Sequence, residues 1–412
     1  FSADCYRKVQ LAEKEREMKL TEETPFFFIY SVWTKNGEYR EQVKRLVTDY
    51  DNYISLKLAG DDAYLSEKIV GYPAELDEVY AESFEEQKKE WFSCVGDGIQ
   101  ECRNTWEHKK WNITDFPEFE LAITIDRPEL YYDFLQKDWT RFCHDYWKNN
   151  FLEHHTLSQK RVTRIYIGNQ FCHNLFPKKK LLFQVLEKAL ENNLAVTLAF
   201  TYIRNHLLEE IDELLQELEV WCQSREKEAG KDQEEIIVND WAMPILLQGK
   251  PHLKPVLGVL LNKRRKDVRL PYKHGIGNHV DSLAENNLNC GFYQDYLKNT
   301  FDIQRFEFES CGYKVTIPDG HHSLHLPFFQ TNTSQYCTLY AVCRYGDRGK
   351  QKLPENCPKY CEQKVFLYPK HLKMVGRYNS LFGYDEKILW DEKQLQDYLE
   401  QGIDRIVMNV SL

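Results

Sequence analysis

Apolar and polar positions change rhythm near residue 160. Beyond Val162, short continuous apolar runs alternate with stretches whose apolar residues recur every three or four positions. The runs at 164–168, 194–200, 235–240, 255–261, 305–309 and 404–409 predict strands, and 313–317 predicts one more. Between them, Pro177 opens a helix that runs through Leu190, and a second helix is expected over 392–401. The stretch 207–222 is an acidic amphipathic helix, with Leu208, Ile211, Leu214, Leu215 and Leu218 at helical spacing on its buried face. Repeated strand–helix units with continuously apolar strands predict an α/β fold built on a parallel sheet, open or closed into a barrel.

Residues 1–160 have a different texture. They are dense in Trp, Tyr and charge, with a helical stretch at 129–135 and strand-like runs at 26–32 and 119–125. The expectation is an α+β N-terminal region over 1–160, of unknown role, followed by an α/β domain over 161–412. The cysteines of the first region (Cys5, Cys94, Cys102 and Cys143) lack metal-site spacing.

Composition narrows the function classes. A net charge of -10 and a pI near 5.8 argue against a nucleic-acid surface spanning the molecule, so no DNA partner is expected. Local basic runs, Lys178-Lys179-Lys180 and Lys263-Arg264-Arg265-Lys266 with Arg269, leave RNA contact open. No apolar run approaches the roughly 20 residues of a membrane helix. With no signal-peptide pattern either, a cytoplasmic location is expected, and three glycosylation sequons then carry no meaning.

In parallel α/β folds, ligands collect at the carboxyl ends of strands, where the βα loops converge. Those ends carry Asn169 to His173, Asn239-Asp240, Asn262 to Arg265, and Glu309 to Cys311. Four thiols stand out: Cys172 at the first of these ends, then Cys337 and the C-x3-C pair Cys357 and Cys361 far downstream. Four convergent thiols suit an iron–sulfur cluster, with zinc as the alternative. Cys343 competes with Cys337 for one place, and Cys290 and Cys311 read as structural. The basic run suits carboxylate or phosphate, and Asp240 reads equally as a base and as a helix cap. His321, His322 and His325, beside Gly320, are expected on a solvated loop. Nucleophile-elbow, zinc-protease, Walker and dinucleotide fingerprints are missing from the sequence.

Ile165-Tyr166-Ile167-Gly168-Asn169-Gln170-Phe171-Cys172 follows a strand motif of the form V-Y-L-G-x-x-x-C. Ile236 to Asp240 is a strand ending in N-D, and Gly258 to Asn262 one ending in L-N. Ser334-Gln335-Tyr336-Cys337 followed by Cys357 and Cys361 makes an S-x-x-C…C-x3-C tail. In this order the motifs resemble those of the collagenase-like peptidase family U-thirty-two, in particular its anaerobic ubiquinone-biosynthesis and RNA-hydroxylation members. The resemblance covers about residues 162–412. It implies an incomplete or distorted TIM-like barrel in which Cys172, Cys337, Cys357 and Cys361 hold a 4Fe–4S cluster. It further implies oxygen-independent hydroxylation, or a related redox modification, of a small molecule or RNA, with a related family subunit as partner. Asp240 is then the candidate catalytic group, and Asn239, Asn262, Arg264 and Arg265 the candidate substrate contacts. Peptidase activity, or a non-catalytic zinc-stabilised interaction role, is the alternative. The chain departs from the family pattern across residues 1–160, in the His-rich stretch 318–330, in the extra Cys343, and in the strongly basic run after the L-N strand.

Overall fold

The computed structural model describes residues 116–229, 234–266, 283–347, 356–367 and 373–410, with short pieces at 17–23, 28–33, 35–38, 41, 88–89, 91, 268, 350 and 352–354. Cys5, Cys94, Cys102, Arg269 and the first two residues of the 26–32 run lie outside the described residues. The chain divides into two units, one of residues 1–71 with 290–293, and one holding the remainder. Within the first, β1 (Glu17–Glu23) and β2 (Phe28–Trp33) form an antiparallel pair.

The second unit is built on eight parallel strands: β3 (Glu120–Ile125), β4 (Val162–Gly168), β5 (Ala195–Ala199), β6 (Glu234–Val238), β7 (Leu253–Leu257), β8 (Glu307–Glu309), β9 (His322–Leu326) and β14 (Ile403–Met408). Their order, β7-β6-β5-β4-β3-β14-β9-β8, is that of a barrel. At the β7–β8 seam a single parallel bridge, Leu257 to Phe306, joins the two ends. The α/β, TIM-like expectation therefore holds, with one weak seam.

The barrel is incomplete in its helices as well. Lys179–Glu191 and Leu208–Ala229 follow β4 and β5, as the 3.6-residue periodicity requires. Between β6 and β7 there is only the five-residue helix Ala242–Leu246. No helix joins β8 to β9, and the strand expected at 313–317 is irregular backbone. Between β9 and β14 the chain inserts an antiparallel sheet of β10 (Phe328–Thr333), β11 (Phe366–Leu367), β12 (Met374–Arg377) and β13 (Ser380–Tyr384), together with the helix Thr338–Tyr345, before the expected helix, Glu392–Glu400, leads into β14.

Two expectations need correction. The first barrel strand is Glu120–Ile125, paired with both β4 and β14, so the sheet begins about forty residues before the expected boundary. The Trp-, Tyr- and charge-rich texture of residues 1–160 hides this, and two helices, Pro128–Gln136 and Trp139–Asn149, separate the strand from β4 in the chain. The histidine stretch is not a solvated loop: His322–Leu326 is the seventh barrel strand, with His322 and His325 buried and only His321 exposed. Gly320 does turn the chain, with φ of +143°, but the strand starts two residues later. Among the described residues, no helix is long and apolar enough to cross a membrane.

Candidate functional site

Inward-facing positions alternate along each strand with a period of two. Ala122, Tyr166, Ala199, Ile237, Val256 and Val407 form one buried cluster inside the barrel. Below it lies a belt of charge. Arg405 donates from Nε to Glu120 at 2.6 Å and grips Glu235 bidentately at 2.6 and 3.0 Å. Arg164 holds Glu120 through two contacts of 3.0 Å and donates to Thr197, which in turn donates to Glu235. Burial pushes the Glu235 carboxyl up, but Arg405 and then Arg164 outweigh it and hold it at about 2. These charges satisfy one another inside the chain.

The four thiols come together at the carboxyl end of the barrel. Cys172, Cys337, Cys357 and Cys361 line one recess with Leu175, Leu339, Tyr340, Tyr360 and Tyr378. Local chemistry places three of them. Gly168 ends β4 with φ of +107°, where a side chain would strike the Ala199 carbonyl and Phe176. Asn169 then accepts from the Phe171 and Cys172 amides, both at 2.9 Å, and folds the loop so that Cys172 starts a 3-10 turn.

Cys337 is the N-cap of the helix Thr338–Tyr345, its sulfur accepting from the Tyr340 amide at 3.3 Å and donating to the Tyr378 carbonyl at 2.9 Å. Tyr378 and Asn379 are the two-residue turn between β12 and β13, and Tyr378 takes a left-handed φ of +59° there. Asn379 donates to the Ser334 carbonyl and to Tyr202 just past β5, which ties the approach to Cys337 onto a barrel loop. Arg377 donates to the Cys361 carbonyl at 2.9 Å.

Burial pushes Cys172 up to about 11 and Cys337 to about 12, and Cys361 is raised by burial and then by Cys172. No three His, Cys, Asp or Glu side chains among the described residues are grouped as a single metal ion requires. The four cysteines line one recess without forming such a group. Cys343 lies on the same helix as Cys337 but does not line the recess. Cys311 is buried, 3.0 Å from Arg264.

The other nominated residues have structural partners and do not line this recess. Asp240 accepts from the Ala242 and Met243 amides at 3.1 and 3.0 Å and from the Ile203 amide, so it caps the short helix after β6. Asn239 is buried, donating to the Phe200 carbonyl at 2.7 Å and accepting from the Leu260 amide at 3.1 Å. Asn262 donates to the Glu307 carbonyl at 3.1 Å. Arg264 donates to the Glu309 carbonyl as well as Cys311, while the Arg265 carbonyl accepts from Tyr313. Lys266 pairs with Glu309 and donates to Gln330.

Sequence reasoning missed Glu307 and His325. His325 Nε2 lies 2.5 Å from Glu307 Oε2, deep in the barrel. Their signal was present: polar residues at 305, 307 and 309, and at 323 and 325, keep the inward period of two on neighbouring strands. No family model, curated protein or solved structure matches the chain.

Proposed function

We propose that the recess holds a 4Fe–4S cluster and that the protein is an iron–sulfur-dependent enzyme, or subunit, of oxygen-independent hydroxylation or related redox modification. The observation that carries this reading is the convergence of Cys172, Cys337, Cys357 and Cys361, separated by as many as 189 positions (361 − 172), on one recess at the carboxyl end of an α/β barrel. The donor set fits such a group, since four thiols and no carboxylate or imidazole line that recess. When bound, a cluster supplies one-electron transfer. The chain's own part is to hold the ligands: Asn169 orients Cys172, the turn at Tyr378 and Asn379 orients Cys337, and Arg377 fixes the Cys361 backbone. Small molecules and RNA are the substrate classes the family resemblance supports.

Purification and reconstitution without oxygen test the proposal. The expected result is a coloured protein with about four iron and four acid-labile sulfide per chain, falling to background in Cys172→Ser and Cys361→Ser. A colourless product, or full iron in either variant, overturns it. Zinc without sulfide would support a non-catalytic, metal-stabilised role instead.

A further inference from the structure

The amino end of the barrel carries a cleft unrelated to the thiols. Val162, the first residue of β4, lies in its wall, whereas Cys172 follows the other end of that strand, roughly 20 Å away. The cleft holds about 490 Å³, within the roughly 300–1,000 Å³ of small-molecule sites. One wall is a stripe of the helix Trp139–Asn149, where Trp139, Cys143 and Trp147 recur every four residues and so share a face. The segment 153–162 forms the other wall.

The helical stripe is apolar. Trp147 is buried and Trp139 and Cys143 are half-buried, and burial pushes the Cys143 thiol up to about 12, so it brings no charge. Trp139 is itself held in place, stacked on Phe142 with ring centres 5.9 Å apart and met edge-on by Phe134. The charges come from the other wall. Glu153 and Arg161 both line the cleft, yet the side chain of neither has an ion-pair or hydrogen-bond partner among the described residues. Lys160 meets only the Phe119 ring, 4.4 Å from its ammonium group. Opposite charges that line one cleft without pairing are both open to a ligand that carries both signs.

We propose that this cleft binds a free amino acid with an aromatic side chain: Arg161 takes the carboxylate, Glu153 takes the ammonium group, and the stripe of Trp139 and Trp147 takes the side chain. A guanidinium matches a carboxylate bidentately, a carboxylate accepts from an ammonium group, and indoles offer flat apolar area. A ligand of one charge gains from only one of the two partners, which is the basis of selection. A polyanion is opposed by Glu153. No bond is made or broken in this binding, and it needs no cluster.

Indole ¹H–¹⁵N spectra of the metal-free full chain test it, with phenylalanine, 3-phenylpropionate and 2-phenylethylamine as probes. The second lacks the ammonium group and the third lacks the carboxylate. The Trp139 signal is the one lost in Trp139→Phe. Phenylalanine is expected to move it, saturating at a concentration at least about threefold below that of either other probe. Arg161→Gln should remove the advantage over phenylethylamine, and Glu153→Gln the advantage over phenylpropionate. Both side chains are exposed, so both variants should keep the fold. No shift with phenylalanine, equal binding of either other probe, or an advantage that survives either variant overturns the proposal.

Discussion

The barrel floor and the thiol recess are both crowded with ionisable groups, yet they are organised in opposite ways. On the floor, Glu120, Arg164, Glu235 and Arg405 pair with one another, so their charges are compensated before any ligand arrives. In the recess, thiols of the same chemistry line one space, and burial, followed by neighbouring thiols, raises Cys337 and Cys361. In a self-satisfied network the loss of one partner strands a buried charge, whereas like donors around a space compensate nothing within the chain and are, on the proposed reading, free for a cluster. Substitutions should separate the two by damaging folding in one region and metal loading in the other.

The largest effect on stability is expected at Arg405. Arg405→Leu strands Glu120 and the buried Glu235, and should cost about 3–5 kcal/mol in denaturant unfolding. A loss under about 1 kcal/mol would mean that the floor is not what closes the barrel.

Next comes His155, buried between the Leu389 carbonyl and the Leu157 amide and held down at about 4, mainly by burial. An unfolded histidine titrates near 6.5. Its folded value is therefore depressed, and the stability it contributes is complete above about pH 6.5 and is lost as pH falls toward 4. The decline should amount to about 3 kcal/mol, and His155→Gln should flatten that part of the stability profile. Below it, Glu235 adds a further loss as pH drops from the ordinary carboxylate range toward 2.

Asp240 is a smaller case. Asp240→Ala removes the helix cap and should cost about 1 kcal/mol, while Asp240→Asn retains most of it. Iron loading after reconstitution should be unchanged in both variants. Loss of loading in the asparagine variant would return Asp240 to the centre of the site.

The smallest stability effect is expected in the recess itself. Cys172→Ser should shift the unfolding free energy of metal-free protein by less than about 1 kcal/mol, since the loop is held by Asn169 and not by the sulfur. The same variant should abolish iron uptake. A metal-free protein that collapses on this change would make the thiols part of the core.

Much of this organisation was legible in local pattern. Continuous apolar runs marked β4 to β7 and β14, and helical spacing marked the face of Leu208–Ala229 that carries Leu214, Leu215 and Leu218. The thiols were legible by type and position, because Cys172 follows a strand and Cys357 and Cys361 sit three apart. His325 was not, since a Gly and two adjacent histidines imitate a turn. Asp240 read equally as base and cap because both need a carboxylate at a strand end, and only its partners distinguish them.

The amino-acid order by itself marked β4 to β8 and β14, the buried face of the long acidic helix, and which donors are available, because these depend on neighbours two to four positions apart. Only the tertiary structure decided that residues 120–125 belong to the barrel, that Glu307 meets His325, and that four distant sulfurs share one recess. Those outcomes depend on how strands close around a common axis, and periodicity along the chain reports the side a residue faces but not the residue it faces.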